Sequence, residues 1–271
     1  MHERVIEPPR GLELNLRELW RERELLAFLS WRNVQVRYKQ ALAGPGWAIL
    51  QPLFGMLIFT LVFGRYADLP NDGIPYPVFY FSAFLIWSYV AASLTQASAS
   101  IADNAEMVSK VYFPRIFLPL GAALAGLVDI AVGSLVGIPL FIAYGVDLGW
   151  HLLLAPVPIL IAVFATCGAG LILGGLNAKY RDVRLAVPFL IQVGLFTSPI
   201  AYSSSIVPDN LHTLYGLNPY AGAIEGFRWC ITGEGAATVP MVAVSAGMAI
   251  FMLVAGVAYF QRADTTMADV V

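Results

Sequence analysis

Charged side chains are scarce. The 271 residues include 16 Lys+Arg and 18 Asp+Glu, or 13%, about half the ~25% usual for a soluble domain. Apolar residues make up 58% and mean hydropathy is +0.70. So little polar surface excludes a soluble enzyme, a disordered chain and a basic nucleic-acid binder. Only two cysteines occur, Cys167 and Cys230, in separate apolar regions. With no CxxC or Cys/His spacing, they support neither a disulfide framework nor a zinc site, and read as packing residues. The three histidines, His2, His151 and His212, are scattered, so no metal or His-centred catalytic site is expected. No Gly-Lys pair exists, so a phosphate-binding loop of the GxxxxGK[ST] type is absent. The polar first 39 residues do not look like a signal peptide. Net charge is −2 and says little, because in a lipid-solvated chain the placement of charge outweighs its sum.

What is abundant is uninterrupted apolar sequence. Six stretches of 24 to 31 residues lie between charged positions, with Asp129 the one charge inside any of them. A bilayer core of about 30 Å needs roughly 20 apolar residues per helix. The gaps therefore predict an all-α membrane protein of one domain, residues 1–271. Its six transmembrane helices are expected near 45–64, 77–101, 116–144, 151–177, 185–204 and 238–260, within a 45–260 bundle. Lys and Arg give the orientation. Fourteen fall on the side of the N-terminus, the second and fourth connections and the tail, and only Arg65 and Arg228 on the other. Positive residues stay inside, so both termini are expected in the cytoplasm.

Two segments read differently from spans. Residues 12–31 place Leu12, Leu16, Leu19, Leu26 and Leu29 at helical spacing among charged residues, as in an amphipathic helix on a membrane surface or partner. Residues 205–236 are too apolar for a solvated loop and too rich in Pro and Gly for a full span. Short or re-entrant helices between spans five and six fit that pattern. In the second connection, 103–119, Asn104–Val108 can form a stub helix along the membrane, its few apolar side chains open to a protein partner. The fourth connection, 177–183, is short and charged and suits topology setting. Glycines such as Gly168, Gly170, Gly174 and Gly175 read as close helix packing. Asp129 in a span is costly and reads as a structural pairing more readily than as a proton relay.

Several motifs occur in order along the chain. Trp31-Arg32-Asn33, Arg37-Tyr38-Lys39-Gln40, Gly44-Pro45-Gly46-Trp47 and Gln51-Pro52-Leu53 lead into the first span. Pro75-Tyr76-Pro77 and Trp87 mark the second. Asn104, Val111-Tyr112-Phe113-Pro114-Arg115 and Leu118-Pro119 follow it, and Tyr180-Arg181-Asp182-Val183 follows the fourth. Ser198-Pro199-Ile200-Ala201-Tyr202, Pro208, Leu217-Asn218-Pro219 and Phe227-Arg228 mark the external segment. With this set, from about Leu19 to Arg262, the chain resembles the permease subunits of ABC-2 type polysaccharide exporters, which carry O antigens, capsules and teichoic acids across bacterial inner membranes. Asp129 and the acidic Glu18, Glu22 and Glu24 fall outside that pattern.

The resemblance implies a homodimer in the inner membrane, joined by two copies of a cytoplasmic ABC ATPase that bind ATP and Mg; the chain itself would carry no cofactor and no catalytic residue. The stub helix would couple to the ATPase through Asn104, Glu106, Met107, Val108, Lys110, Val111, Tyr112 and Phe113, beside the amphipathic N-terminal helix. A lipid-linked glycan, O antigen first, would pass between two permeases. Candidate stacking rings for it are Trp47, Phe54, Phe59, Tyr80, Phe84, Trp87, Phe196 and Tyr202. Arg32, Arg37 and Lys39 would meet a lipid-pyrophosphate head group at the cytoplasmic entrance, because Arg pairs bidentately with phosphate. Asn218, Pro219, Glu225 and Arg228 would form the external re-entrant motif. Export of a small molecule or lipo-oligosaccharide is an alternative within the class. A proton-coupled secondary transporter using Asp129 is one outside it.

Overall fold

The computed structural model describes residues 21–39, 46–67, 70–111 and 113–267. The regular structure among the described residues is helical, with no strand among them. In chain order the helices are α1 (Arg23–Lys39), α2 (Gly46–Phe59), α3 (Tyr76–Asp103), α4 (Ala105–Lys110), α5 (Phe117–Ala125), α6 (Leu127–Ala143), α7 (Pro156–Lys179), α8 (Val183–Thr197), α9 (Asp209–Tyr215), α10 (Pro219–Thr232) and α11 (Val239–Met267). A π-helix, Thr60–Tyr66, prolongs α2, and 3-10 turns at Trp150–Leu154 and Ser204–Ile206 precede α7 and α9.

Four helical stretches are long and apolar enough to cross a membrane: Tyr76–Asp103, Phe117–Ala143, Trp150–Lys179 and Val239–Asp264. Leu50–Tyr66 and Val183–Thr197 are apolar but shorter. Helix α8 stops at Thr197 rather than near 204. Ser198 is extended, with ψ 150°, as the residue before Pro199 is obliged to be. At 1.5 Å per residue its 15 residues reach only about 22 Å. The expected third span is one stretch, Phe117–Ala143, in which Gly126, with helical φ −65° and ψ −16°, separates α5 from α6. Helix α1 extends past residue 31 to Lys39; residues 12–20 of the expected amphipathic segment lie outside the described residues.

Helix α3 is the axis of the bundle, packed against α2, α5, α6, α7, α8 and α10. Val78, Phe79, Ala83, Ile86, Tyr89, Val90 and Ala97 are fully enclosed. Its serines are compatible with that position because each hydroxyl finds a carbonyl nearby. Ser82 donates to Phe79 O (3.0 Å), Ser98 to Thr95 O (2.8 Å) and Ser100 to Ala97 O (2.8 Å). A polar group in hydrocarbon must be satisfied internally. Apolar side chains point outward instead, among them Leu135, Leu185, Phe189, Phe251 and Val254, as a protein solvated by lipid requires.

Helix α7 is sandwiched by its glycines. Gly170 and Gly174, one turn apart, meet α3 at Ala97. Gly168 and Gly256 bring the backbones of α7 and α11 together: a Cβ on Gly256 would lie 2.4 Å from Gly168 O, and one on Gly168 2.3 Å from Met252 O. Small residues permit such contact in lipid, where helices associate by packing rather than by the hydrophobic effect. Gly256→Val should therefore destabilise the detergent-solubilised protein by about 1–3 kcal/mol, the usual cost of overpacking. Thermal unfolding checks this, with Gly247→Val as the neutral control because nothing lies within 4 Å of a Cβ there.

Candidate functional site

The basic end of the bundle is assembled from α1, the last turn of α3, α4 and α5. Leu29 is buried in a cluster with Ile101, Val108, Ile116, Phe117 and Leu118, so α1 lies on the bundle rather than apart from it. Gly121 sits against Leu29 and Ser30, and eight residues further along both chains Arg37 meets Asp129. Helices α1 and α5–α6 therefore run side by side in the same direction. Arg32 clamps the start of α4: its Nη2 donates to Asn104 Oδ1 at 2.8 Å, and its Nη1 to Met107 Sδ at 3.7 Å. Asn104 Nδ2 in turn donates to Ser100 O at 2.8 Å. Arg184 pairs with Asp103 at 3.3 Å and Arg115 with Asp264 at 3.1 Å, joining the ends of α3, α8, α5 and α11.

The expected stub helix is present as α4, but with its apolar face turned inward. Val108 is 5% exposed, with Met107 and Phe113 packed against the same cluster. The chain around α4 leaves Glu106, Lys110 and Val111 accessible, and the Glu106–Lys110 pair at 3.4 Å is open to solvent. Val108 therefore holds the helix down rather than offering a contact. Tyr112 lies outside the described residues. Of the three basic residues expected at the entrance, Arg32 and Arg37 line a cavity of about 530 Å³ between α1 and α3, whereas Lys39 is exposed.

Asp129 has partners that its spacing did not reveal. Arg37 Nη1 donates to one carboxylate oxygen and the Tyr38 hydroxyl to the other. Both donors belong to α1, more than ninety residues away in sequence, so no local pattern could have found them. A carboxylate held by a cation and a phenol answers the cost of placing it among apolar helices.

At the opposite end, Glu225 and Arg228 of α10 form an ion pair with no exposure at all. Arg228 Nη1 donates to Glu225 Oε2 at 2.8 Å, Nη2 to Pro199 O at 2.8 Å and Nε to Phe79 O at 3.4 Å. Its guanidinium carbon lies 3.6 Å from the centre of the Phe79 ring. Glu225 Oε1 accepts from Ser204 N at 2.9 Å. One pair thus joins α10, the first turn of α3 and the chain leaving α8. The i,i+3 spacing of Glu225 and Arg228 was readable in sequence; Phe79, Pro199 and Ser204 were not. Asn218 caps α10 ahead of Pro219, accepting from Tyr220 N at 3.1 Å, a common start for a helix. Its Nδ2 reaches Ser198 Oγ at 3.0 Å. Tyr202 and Tyr215 share a hydrogen bond at 3.0 Å, and Tyr215 also donates to Thr197 O at 2.9 Å. Burial, and then the bond with Tyr202, push the Tyr215 phenol above its ordinary range, so it stays a neutral donor.

The rings expected along a pore occupy three kinds of place. Tyr80 and Phe84 are enclosed in the protomer, 1% and 8% exposed, where Tyr80 stacks with Phe59 at 4.5 Å and with Phe84 at 5.3 Å. A ring so enclosed presents no face to a passing sugar; its contribution is packing. Trp87 borders an apolar cavity of about 510 Å³ shared with Leu190, Gly194, Tyr215 and Tyr220. Phe54 and Phe196 are exposed, and Tyr202 is half-buried. The Trp47 side chain lies outside the described residues.

Several long apolar helices, with charge confined to paired positions and to the ends, define a multi-pass membrane protein. Residues 24–232 match the ABC-2 type transporter family, and the chain belongs to it. It is 29% identical over 217 residues to the O-antigen export system permease protein RfbA of Myxococcus xanthus, which covers 79% of this chain and 82% of that protein. Two permeases of the same name from Klebsiella pneumoniae are each 26% identical, over 252 and 257 residues, covering 91% of this chain and 95% of theirs. The chain is a transmembrane permease subunit, not an enzyme.

Arg228→Ala should lower the stability of the solubilised protein by about 3–5 kcal/mol, because it strands a buried carboxylate. The double change Glu225→Leu with Arg228→Met should recover most of that loss. Thermal unfolding of the two variants beside wild type measures both.

Proposed function

We propose that the chain is the transmembrane subunit of an ATP-driven exporter that moves lipid-linked O antigen from the cytoplasm to the periplasm. The observation that carries this reading is the near full-length similarity to O-antigen export permeases, within a family match over 24–232. The 1–271 chain would act as one unit, paired with a second copy and with two cytoplasmic ATPase subunits that hold ATP and Mg. Six spans would form when the prolonged α2 and the short α8 join the four long helices. Helix α8 is too short for the bilayer alone; the 198–235 segment, with α9 and α10, would supply the missing depth as re-entrant structure in the outer leaflet. Arg32, Arg37, Lys110, Arg115, Lys179, Arg181 and Arg184 then lie on the cytoplasmic side of the inner membrane, with both termini.

In this arrangement α4 faces the ATPase. Closure of the ATPase dimer would push on α4, and Arg32 and Val108 would pass the displacement to α1 and α3 through the contacts already described. The accessible Phe54 and Phe196, rather than the enclosed Tyr80 and Phe84, are the rings available to a glycan between protomers.

Deleting the gene should remove O antigen from the cell surface while the lipid-linked glycan accumulates inside; unchanged surface glycan would refute the reading. For the coupling surface, Lys110→Glu combined with Val111→Glu should abolish export and reduce co-purification of the ATPase at least tenfold. Membrane insertion should be normal, because both side chains are exposed. Full export by that variant would sink the assignment of α4.

A further inference from the structure

The cavity between α1 and the basic end of α3 is lined mostly by polar side chains. Arg32, Asn33, Arg37, Gln96, Ser100 and Asn104 line it, and its volume is about 530 Å³. Arg37 is incompletely satisfied there. A guanidinium has five N–H donors; Nη1 is on Asp129, while Nε and Nη2 are enclosed and have no hydrogen-bond partner among the described residues. Enclosed donors without acceptors are costly and call for an explanation such as an absent ion. Arg32, five residues earlier on the same helix, has no ion-pair partner among the described residues; its hydrogen bonds go to Asn104 and Met107. Asp103, the carboxylate at the rim of the cavity, is paired with Arg184. Of the two guanidinium groups, Arg32 and Arg37, only Arg37 has a carboxylate partner among the described residues, Asp129.

We infer that this cavity binds a phosphate or pyrophosphate group and that Asp129 is its resident counter-ion, displaced from Arg37 when the group enters. The inference rests on the export reading, since a lipid-linked glycan presents such a group to the cytoplasmic side. A tetrahedral phosphate offers acceptors for Nε and Nη2 at once, the bidentate arrangement that Arg favours. The carboxylate also sets a threshold. A phospholipid diester brings one negative charge and gains little by replacing another single charge. A pyrophosphate brings at least two, and can neutralise Arg32 and Arg37 together. Asp129 therefore selects the multiply charged head group against bulk lipid, a repulsive element of specificity. When displaced, it remains beside the Tyr38 hydroxyl, its second hydrogen-bond donor.

The experiment measures binding to the full chain in phosphatidylcholine nanodiscs, with inorganic pyrophosphate, farnesyl pyrophosphate and farnesol as probes. Wild type should bind both pyrophosphates and not farnesol. Asp129→Asn should tighten pyrophosphate binding on the order of tenfold, a coupling of ordinary size. Arg37→Gln should weaken it at least tenfold, and Asp129→Asn should then have no effect in the Arg37→Gln background. A gain of affinity cannot come from misfolding, so the first variant keeps the test decisive if the second folds poorly. Equal affinity for the two pyrophosphates would assign the site to the anion alone; tighter farnesyl pyrophosphate would assign it to a lipid carrier, and both support the site. Unchanged or weaker binding by Asp129→Asn, or no binding by wild type and Asp129→Asn alike, would overturn it. If Asp129→Asn fails to tighten pyrophosphate binding while deletion of the gene still blocks O-antigen export, this inference falls and the transport reading stands.

Discussion

Hydrocarbon offers no hydrogen bonds, and most of this chain's architecture follows from that. Backbone groups must close on themselves, so the regular structure among the described residues is helical. Serines of the central helix turn their hydroxyls to carbonyls one turn back. The enclosed Arg228 spends its donors on a carboxylate and two carbonyls and lays its plane on Phe79. Under the same demand the unpartnered Nε and Nη2 of Arg37 stand out. The two ends of the bundle differ in this respect: one holds a saturated ion pair, the other an unsaturated one.

The saturated pair is a fastening. Glu225 and Arg228 tie α10 to α3 and to the chain after α8, while Asn218 and Ser245 secure the turns on either side. The other end is built from contacts that can be exchanged: surface pairs such as Lys110–Glu106, worth little individually, and a cavity with donors to spare. Rigidity at one face and adaptability at the other suit a protein pushed from one side only.

Much of this was legible from the positions of charge. The long helices Tyr76–Asp103, Trp150–Lys179 and Val239–Asp264 fill the charge-free gaps almost to their ends, because an ionised side chain and a lipid-facing helix exclude each other. The stub after the second span and the short helices around 205–236 also formed where composition placed them. What escaped depended on distant contacts or on a single backbone restriction. Pro199 shortens α8 through the conformation it forces on Ser198. Val108 turns inward because α1 and α5 present Leu29 and Phe117 to it. Tyr80 is enclosed because α2 carries Gly55 and Phe59 against it, and Phe84 stacks on Tyr80 in turn. The partners of Asp129 lie past residue 31, on the continuation of a helix that spacing suggested would rest on the membrane surface or against a partner.

The contact between α7 and α11 has a mechanical corollary. Where Gly168 and Gly256 touch, main chain presses on main chain, and neither helix can rotate or slide without prising the other away, so the two move as a single rod. Helices α2 and α8 meet α3 differently: Gly55 rests on the Tyr80 ring, Gly64 on Tyr76 and Gly194 on Trp87. A glycine on a flat ring has no knob to seat and no hole to leave. Flat contacts of this kind resist sliding less than the main-chain contact between α7 and α11 does.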